Sequence, residues 1–312
     1  MTPCALVTGG AGFIGSHLAR RLLAEGWAVR VLDNLSSGDR DAVPAGAELV
    51  EGDVRDQALV REVSDGCRRV FHFAAYVNLP VSFAHREECM AVNVDGTRCT
   101  LEAALSAGAE RFVLSSTSAL YPEVPPGAKC EDGPLATDSP YAESKLAGER
   151  LVAEYRQRGL DGVALRYFNV FGPGQPAGSD YAAVIPLFIS RGLGDQPLTL
   201  CGDGRQTRDF VYVEDVAAAN WRASESRATG VYNVGTGREV AIVELADLIA
   251  EMLDFGQPHQ FIAERPGDVA SSTASIALAA EALQWRAQWS LEDGLRATVA
   301  WWRAQAMETV ND

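Results

Sequence analysis

Short apolar runs alternate with longer amphipathic stretches along the first half of the chain. The runs are rich in Val, Leu and Phe, as in parallel strands buried on both faces, and the stretches between them repeat their apolar positions at helical spacing. The pattern predicts strands at 4–8, 28–32, 69–73, 111–115 and 162–167, with a shorter one near 49–50. It predicts helices at 14–23, 57–63 and 89–107, and one that bears Tyr141 and ends near residue 158.

This alternation of strands and helices predicts an α/β fold with a doubly wound parallel sheet. The alternation stops after the segment 171–174, where proline and glycine become more frequent. We therefore expect a smaller C-terminal domain built from 171–207 and 238–312, with 208–237 returning to the main sheet. The tail at 291–307 is predicted to be a helix that packs on the protein.

A glycine-rich turn connects the first predicted strand to the first predicted helix. Its spacing, Gly9-x-x-Gly12-x-x-Gly15, suits a tight turn, close approach of the backbone to a pyrophosphate, and packing of the helix on the sheet. Asp33 ends the second strand, where a carboxylate accepts hydrogen bonds from ribose hydroxyls and repels the 2'-phosphate of NADP. The sequence therefore predicts a Rossmann NAD-binding domain at 1–170, with NAD as the cofactor.

The composition limits the classes of molecule that the protein is expected to bind. The 312 residues carry a formal net charge of -15, which argues against a general nucleic-acid or anionic-membrane surface. The sequence has no apolar run long enough to span a bilayer and no signal-peptide pattern, so we expect a cytoplasmic protein. The six cysteines form no Cys-x-x-Cys pair and have no histidine at metal spacing, so we expect free thiols and no metal site.

Tyr141 and Lys145 are four residues apart on a predicted helix and therefore share one face. A nearby cation favours a phenolate, so we expect Lys145 to lower the pKa of Tyr141. A tyrosine with a lowered pKa can act as a general base at neutral pH.

The order and spacing of these motifs resemble the extended short-chain dehydrogenases/reductases, specifically NAD-dependent nucleotide-sugar epimerases similar to UDP-glucose and UDP-N-acetylglucosamine 4-epimerases. The resemblance extends over nearly the whole chain. Besides the glycine turn and the Tyr-x-x-x-Lys pair, it rests on the segments 33–35, 52–54, 72–75, 93–97, 115–117, 166–172, 208–210 and 265–268.

The resemblance implies roles for individual residues. The implied catalytic residues are Thr117, Tyr141 and Lys145. The implied cofactor-binding residues are Gly9, Gly12, Phe13, Ile14, Gly15, Asp33, Asn34, Asp53, Val54, Ala74, Ala75, Asn93, Tyr141, Lys145 and Tyr167. The implied substrate-binding residues are Ser82, Thr117, Asn169, Ala183, Val184, Arg208, Arg265, Asp268 and Ser272. A homodimer formed through the two long helices is also implied.

The residues after the catalytic threonine separate reactions among the resembling enzymes. Dehydratases carry an Asp-Glu pair there and uronate decarboxylases tend to carry a Glu, whereas Ser118 and Ala119 follow Thr117 here. The resemblance therefore implies a 4-epimerase that inverts C4 of a UDP-hexose or UDP-N-acetylhexosamine through a 4-keto intermediate. Another nucleotide-sugar enzyme (a dehydratase, uronate epimerase or dehydrogenase) and a non-catalytic dinucleotide-binding sensor are the alternatives.

Two positions depart from the pattern of the resembling enzymes. Pro122 follows Tyr121 where glycine is usual, and small residues occupy 272–275 where an acid is expected. In those enzymes the residue at the position of Ser272 borders the hexose pocket, and a small side chain there admits N-acetylated sugars.

Overall fold

The computed structural model describes residues 2–77, 79–123, 127–177, 183–264 and 269–311. The strands are β1 (Cys4–Thr8), β2 (Ala28–Asp33), β3 (Ala47–Glu51), β4 (Cys67–His72), β5 (Arg111–Thr117), β6 (Gly162–Tyr167), β7 (Asn169–Phe171), β8 (Thr199–Cys201), β9 (Thr207–Arg208), β10 (Phe210–Tyr212), β11 (Gly230–Val234), β12 (Val240–Ala241), β13 (Gln260–Ile262) and β14 (Ser271–Ser272). The helices are α1 (Phe13–Ala24), α2 (Gln57–Ser64), α3 (Leu79–Ala84), α4 (Arg86–Met90), α5 (Gly96–Ser106), α6 (Pro140–Gln157), α7 (Val184–Leu193), α8 (Val213–Glu225), α9 (Ile242–Leu253), α10 (Ala277–Ala282) and α11 (Leu291–Asn311).

Seven parallel strands form the main sheet in the order β11-β6-β5-β4-β1-β2-β3. The chain runs outward from β1 to β3 and then returns to the other side of β1 with β4. This reversal opens a crevice at the carboxyl ends of β1 and β4, where doubly wound sheets bind their ligands. The predicted fold class is confirmed, and β11 brings part of the segment 208–237 back to the sheet beside β6.

Each face of the main sheet is covered by helices. On one face, Leu18 and Leu22 of α1 pack with Val216 and Ala223 of α8 in a buried cluster. On the other face, side chains of α2, α5 and α6 form a second cluster. Burial of both faces explains why the central strands are continuous apolar runs in the sequence.

The helix predicted at 89–107 has a more complex structure. It consists of α4, a π-helical turn at Ala91–Asp95, and α5. A π-helical turn accommodates one extra residue and is frequent at functional sites. The hydrophobic pattern did not reveal it, because the apolar spacing on either side of the turn is helical.

A third apolar cluster lies in the C-terminal part of the chain. It combines side chains of α7, α9 and α11, including Phe188, Leu245 and Leu295, with Phe171 of β7. Three small sheets, with strand orders β10-β7, β12-β9-β14 and β13-β8, accompany it. The division into two domains stays a prediction. Within the described ranges no helix is long and apolar enough to cross a membrane.

Candidate active site

The glycine turn closes the crevice between β1 and β4. Gly9 has a φ of +69°, and a Cβ there would lie 2.6 Å from the backbone nitrogen of Ala74. A Cβ on Gly15 would lie 2.3 Å from the Gly9 carbonyl oxygen, so α1 can approach the turn only if this residue is glycine. Gly12 caps α1 without a side-chain hydrogen bond, which leaves the first N–H groups, at Phe13 and Ile14, for an anion. The turn therefore fits a pyrophosphate.

Asp33 lies at the end of β2 beside this turn and is 8% exposed. Its Oδ2 accepts the Ala11 N–H at 3.0 Å, and its Oδ1 accepts the Leu35 N–H at 2.9 Å. Each carboxylate oxygen can accept a second hydrogen bond. The two backbone contacts therefore fix the carboxylate and leave it able to accept ribose hydroxyls.

Asn34 and Asp53 meet next to Asp33. The Asn34 Nδ2 lies 3.5 Å from the Asp53 Oδ2. Arg55 forms an ion pair with Asp53 at 2.7 Å, and its hydrogen bonds lower the pKa of that carboxyl. Val54 is buried between them and packs on Gly96, where a Cβ would lie 2.7 Å from a Val54 methyl group. Sequence reasoning missed Arg55, whose role follows from being two residues after Asp53.

Ala74 and Ala75 follow β4, in the loop that lies against the glycine turn. The Ala74 N–H donates to the Thr8 carbonyl oxygen at 3.1 Å. Asn93, in the π-helical turn, holds the next residue: its Oδ1 accepts the Tyr76 N–H at 2.6 Å, and its Nδ2 donates to the Tyr76 carbonyl oxygen at 3.1 Å. Asn93 therefore supports the loop through these two hydrogen bonds, and its direct contact with the cofactor stays a prediction.

His72 ties the elements around this loop together. Its Nδ1 is hydrogen-bonded to the Thr8 hydroxyl at 2.7 Å, and its Nε2 to the Thr97 hydroxyl at 2.9 Å. Burial, with a smaller contribution from the nearby charge of Lys145, lowers the pKa of His72 to about 3. The ring is therefore neutral and serves as a polar link between β1, β4 and α5.

Tyr167, at the end of β6, is deep in the same region. Its hydroxyl donates to the Asn220 Oδ1 at 2.9 Å, and its ring stacks on Phe73 with centroids 6.4 Å apart. Only 5% of its surface is exposed, so it forms part of the core beneath the crevice. A contact between Tyr167 and the cofactor stays a prediction.

The three implied catalytic residues lie together. Thr117 ends β5, and Tyr141 is the second residue of α6, which starts with Ser139 as N-cap and Pro140 as first residue. The Thr117 side chain lies near enough to the Tyr141 hydroxyl to lower its pKa. The Lys145 Nζ donates to the Ser115 carbonyl oxygen at 3.0 Å and lies 5.9 Å from the centroid of the Tyr141 ring.

The expectation that Lys145 lowers the pKa of Tyr141 is wrong. Burial raises the pKa of Tyr141 to about 12, and the Thr117 side chain acts in the opposite direction without overcoming it. Burial also lowers the pKa of Lys145, which is 6% exposed, to about 8. Desolvation is the largest cause of both shifts, and Lys145 is not among the groups that act on the pKa of Tyr141.

Three of the implied substrate residues lie at two places in the structure. Ser82 is buried in α3, and its hydroxyl accepts the Tyr141 N–H at 3.3 Å, next to the catalytic residues. Arg208 of β9 and Ser272 of β14 are register partners in the small parallel pair. The Arg208 Nη1 donates to the Val269 carbonyl oxygen at 2.6 Å, which places its guanidinium against the residues preceding β14.

The other implied substrate residues are spread over the C-terminal part of the chain. Asn169 begins β7 and is the register partner of Phe210 in β10. Ala183 caps α7 and is exposed, and Val184 packs against the third apolar cluster. Arg265 and Asp268 lie outside the described residues.

The model of the NAD dependent epimerase/dehydratase family matches residues 5–235. The chain belongs to this family. It is therefore an enzyme, and NAD, the cofactor expected from the sequence, is confirmed. In the described parts of the enzyme, no group of three or more His, Cys, Asp or Glu side chains could hold a metal ion.

Named relatives resemble the enzyme over almost its full length. A putative UDP-glucose 4-epimerase from Methanocaldococcus jannaschii is 37% identical, over 95% of this chain and 97% of its own. The UDP-N-acetylglucosamine 4-epimerase structure from Methanobrevibacter ruminantium, in complex with UDP-N-acetylmuramic acid, has 36% identity and a TM-score of 0.94, covering 98% and 100% of the chains. The structure of a Thermus thermophilus UDP-glucose 4-epimerase in complex with NAD has 40% identity and a TM-score of 0.88, covering 96% and 99%.

A buried polar network supports α6, the helix that carries Tyr141 and Lys145, and sequence reasoning missed it. Glu149 of α6 forms a two-pronged ion pair with Arg166 of β6, with N–O distances of 2.8 and 2.7 Å, and accepts the Ser116 hydroxyl at 2.6 Å. Arg166 also donates to the Tyr121 hydroxyl at 2.9 Å, which donates to the Asn233 Oδ1 at 2.7 Å. The network joins α6 to β5, β6 and β11. Glu149 could have been found from its spacing, since it follows Lys145 by one further helical turn.

A second buried carboxylate, Asp209, lies between β9 and β10 and also connects several elements. It is fully buried and accepts hydrogen bonds from the Thr236 N–H and hydroxyl at 2.7 and 2.6 Å, the Gly237 N–H at 2.9 Å and the Ala274 N–H at 3.1 Å. These contacts join β9 to the turn after β11 and to the segment after β14. Asp209 therefore fixes the strand that carries Arg208.

The small residues around Ser272 do not form an irregular surface loop. The hydroxyls of Ser271 and Thr273 both donate to Glu239 at 2.8 Å. Side chains alternate along a strand, so Ser272 lies on the opposite side of β14 from these two residues. That side is the one that Arg208 shares.

Proposed function

We propose that the enzyme is a UDP-sugar 4-epimerase, which inverts C4 of a UDP-hexose or UDP-N-acetylhexosamine through a 4-keto intermediate. The observation that carries the proposal is the end of β5, where Ser118 and Ala119 follow Thr117 in a short 3₁₀ turn. Eliminating water requires a further acid or base beside the sugar. Because no carboxylate occupies these two positions, the site favours epimerisation over dehydration, the other reaction in the name of the family.

The crevice residues would hold NAD along its length. The turn at Gly9, Gly12 and Gly15 and the start of α1 would take the pyrophosphate, and Asp33 the adenosine ribose. Asn34, Asp53 and Val54 would border the adenine side, while Ala74, Ala75, Lys145 and Tyr167 would border the nicotinamide side. The chemistry that bound NAD supplies is reversible hydride transfer at the sugar carbon.

The protein's own residues would accept and return the proton of the sugar 4-hydroxyl. Tyr141 Oη would take the proton of the sugar 4-hydroxyl and return it after the sugar has presented its other face. The Thr117 hydroxyl, which acts to lower the pKa of Tyr141, would stabilise the phenolate. Lys145 supplies a positive charge within the same buried site, and its ordered contact with the Ser115 carbonyl oxygen keeps it there. Ser82 holds the Tyr141 backbone in place.

Arginines would hold the substrate's diphosphate. A guanidinium matches phosphate oxygens in geometry and charge, and a chain with a net charge of -15 must supply such cations locally. We assign this role to Arg208 and Arg265, together with Asn169, and assign the uridine ribose to Asp268. Ser272, beside Arg208 on β14, together with Ala183 and Val184, would border a hexose pocket wide enough for an N-acetyl group.

We also expect a cytoplasmic homodimer that forms through α5 and α6. These helices already pack together within one chain, where the Tyr155 hydroxyl donates to Glu102 at 2.8 Å. Light scattering after size-exclusion chromatography should give twice the mass of one chain, and a monomer would contradict this expectation.

The decisive experiment is to incubate the purified enzyme, without added NAD, with UDP-hexoses, UDP-N-acetylhexosamines and UDP-uronic acids. Interconversion of C4 epimers at constant mass is expected. Tyr141→Phe should lose at least 10²–10⁴-fold in rate, the usual contribution of a general base, while keeping its NAD. Tyr155→Phe is the matched control, because it removes a hydroxyl from the same helix that, among the residues that the structure describes, contacts Glu102 and Arg158. A product that has lost water, or net release of NADH, would contradict the proposal.

A further inference from the structure

Two cysteines that are far apart in the sequence meet at the amino ends of β1 and β4. The Sγ atoms of Cys4 and Cys67, 63 positions apart, lie 3.2 Å from each other. The two residues are also register partners, because β4 skips one residue, Arg68, between the pairs formed by Cys4 and Ala5. Their side chains therefore project from the same face of the sheet.

The backbone geometry suits a covalent link. Neighbouring strands lie about 4.8 Å apart, and the Cα atoms of a disulfide are usually about 4.4–6.8 Å apart. A bond of about 2.05 Å requires the two sulfurs to approach by roughly 1 Å. Cys4 is partly exposed, so a small reagent can reach it, and Cys67 is 2% exposed behind it.

The surroundings distinguish the two thiols. The hydrogen bond from Cys67 and the charge of Arg30 lower the pKa of Cys4 to about 7 against the effect of burial, and Glu48 acts weakly in the opposite direction. The Arg30 Nη1 lies 3.8 Å from the Cys67 Sγ, and its own hydrogen bond to the Val63 carbonyl oxygen at 2.7 Å holds it there. The same hydrogen bond between the thiols, with burial, raises the pKa of Cys67.

We propose that Cys4 and Cys67 form a reversible disulfide by exchange with a small organic disulfide. The Cys4 thiolate attacks one sulfur of that disulfide, which forms a mixed disulfide and expels one thiolate. The expelled thiolate takes the Cys67 proton, and the Cys67 sulfur then attacks the Cys4 sulfur and expels the second thiolate. The two protein sulfurs are oxidised, and the small disulfide is reduced to one thiol, which carries the Cys67 proton, and one thiolate.

The link should change stability more than turnover. Cys4 and Cys67 are the first residues of β1 and β4, whose carboxyl ends lead to the glycine turn and to Ala74. The bond would therefore form at the amino ends of the strands, whereas Tyr141 lies near their carboxyl ends. A cross-link between residues 63 positions apart restricts the unfolded chain. For a protein of this length we expect Tm to rise by up to about 6 °C. The proposal is independent of the reaction that the enzyme catalyses.

The test is to incubate the folded, full-length enzyme with oxidised glutathione, quench with acid and map the disulfides by mass spectrometry of peptides. A Cys4–Cys67 link is expected, the titratable thiols should fall by two from six, and dithiothreitol should restore both Tm and thiols. Cys4→Ser and Cys67→Ser should each abolish the link and the rise in Tm. Cys130→Ser, which removes an exposed cysteine, is the matched control and should retain both.

Three results would overturn the proposal. They are a stable glutathione adduct on Cys4 with no internal link, a link between other cysteines, and unchanged thiols in the wild-type protein. A Cys4–Cys67 link that left Tm unchanged would contradict the inferred stabilisation. The mapping is done on the wild-type chain, so the test stands even if a serine variant folds poorly.

Discussion

The buried ion pair between Glu149 and Arg166 offers the sharpest test of how α6, the helix that carries Tyr141 and Lys145, is held in place. The two side chains are only 5% and 3% exposed. Glu149→Gln keeps the size of the side chain but removes its charge. It also replaces one carboxylate oxygen by an NH₂ group, which, like the Arg166 guanidinium that it faces, can donate a hydrogen bond but not accept one. Arg166 would then be a buried cation without its counterion. Breaking a buried pair in this way costs about 3–5 kcal/mol.

A matched control lies on the same helix. Glu143 also pairs with an arginine, Arg86, at 2.7 Å, but these side chains are 41% and 54% exposed. Exposed pairs contribute about 0–1 kcal/mol, and the position of Glu143 in the first helical turn adds a similar amount. Glu143→Gln should therefore cost about 1 kcal/mol in the free energy of unfolding, well below the cost of Glu149→Gln.

Urea unfolding of both variants, followed by circular dichroism, measures the two costs. The double variant Glu149→Leu with Arg166→Met should recover much of the loss, because replacing both partners with apolar groups leaves no unpaired charge. A cost for Glu149→Gln no larger than for Glu143→Gln would refute the reasoning, since it would mean that water or other groups already neutralise Arg166.

Three further predictions concern the site. Because burial lowers the pKa of Lys145 from 10.5 to about 8, the unfolded chain binds more protons between these values. Between pH 8 and 10.5 the free energy of unfolding of the wild type should therefore rise by about 3 kcal/mol relative to that of Lys145→Met, because the other groups that titrate in this range are common to both proteins. Asp33→Ala should narrow the preference for NAD over NADP in binding titrations, and an unchanged preference would exclude charge repulsion by Asp33 as its cause. Ser272→Tyr should reduce kcat/KM far more for UDP-N-acetylhexosamines than for plain UDP-hexoses, and equal losses would place Ser272 outside the pocket.

The sequence by itself determined the features that depend on neighbouring residues. The strands at 4–8 and 162–167 have the predicted bounds, because a strand buried on both faces must be a continuous apolar run. Gly9 and Gly15 were identified by their spacing, and the structure shows that a Cβ at either position would collide with backbone. Tyr141 and Lys145 share a helix face for the same local reason.

Only the tertiary structure decided the properties that depend on what surrounds a group. The pKa of Tyr141 rises although Lys145 is near, because desolvation in the folded chain is the largest of the causes that act on it. Glu149 meets Arg166, and Cys4 meets Cys67, through the packing and order of strands, which no local spacing encodes. Periodicity reports which side chains are buried, but which buried side chains touch, and how strongly desolvation acts on them, is set when the sheet assembles.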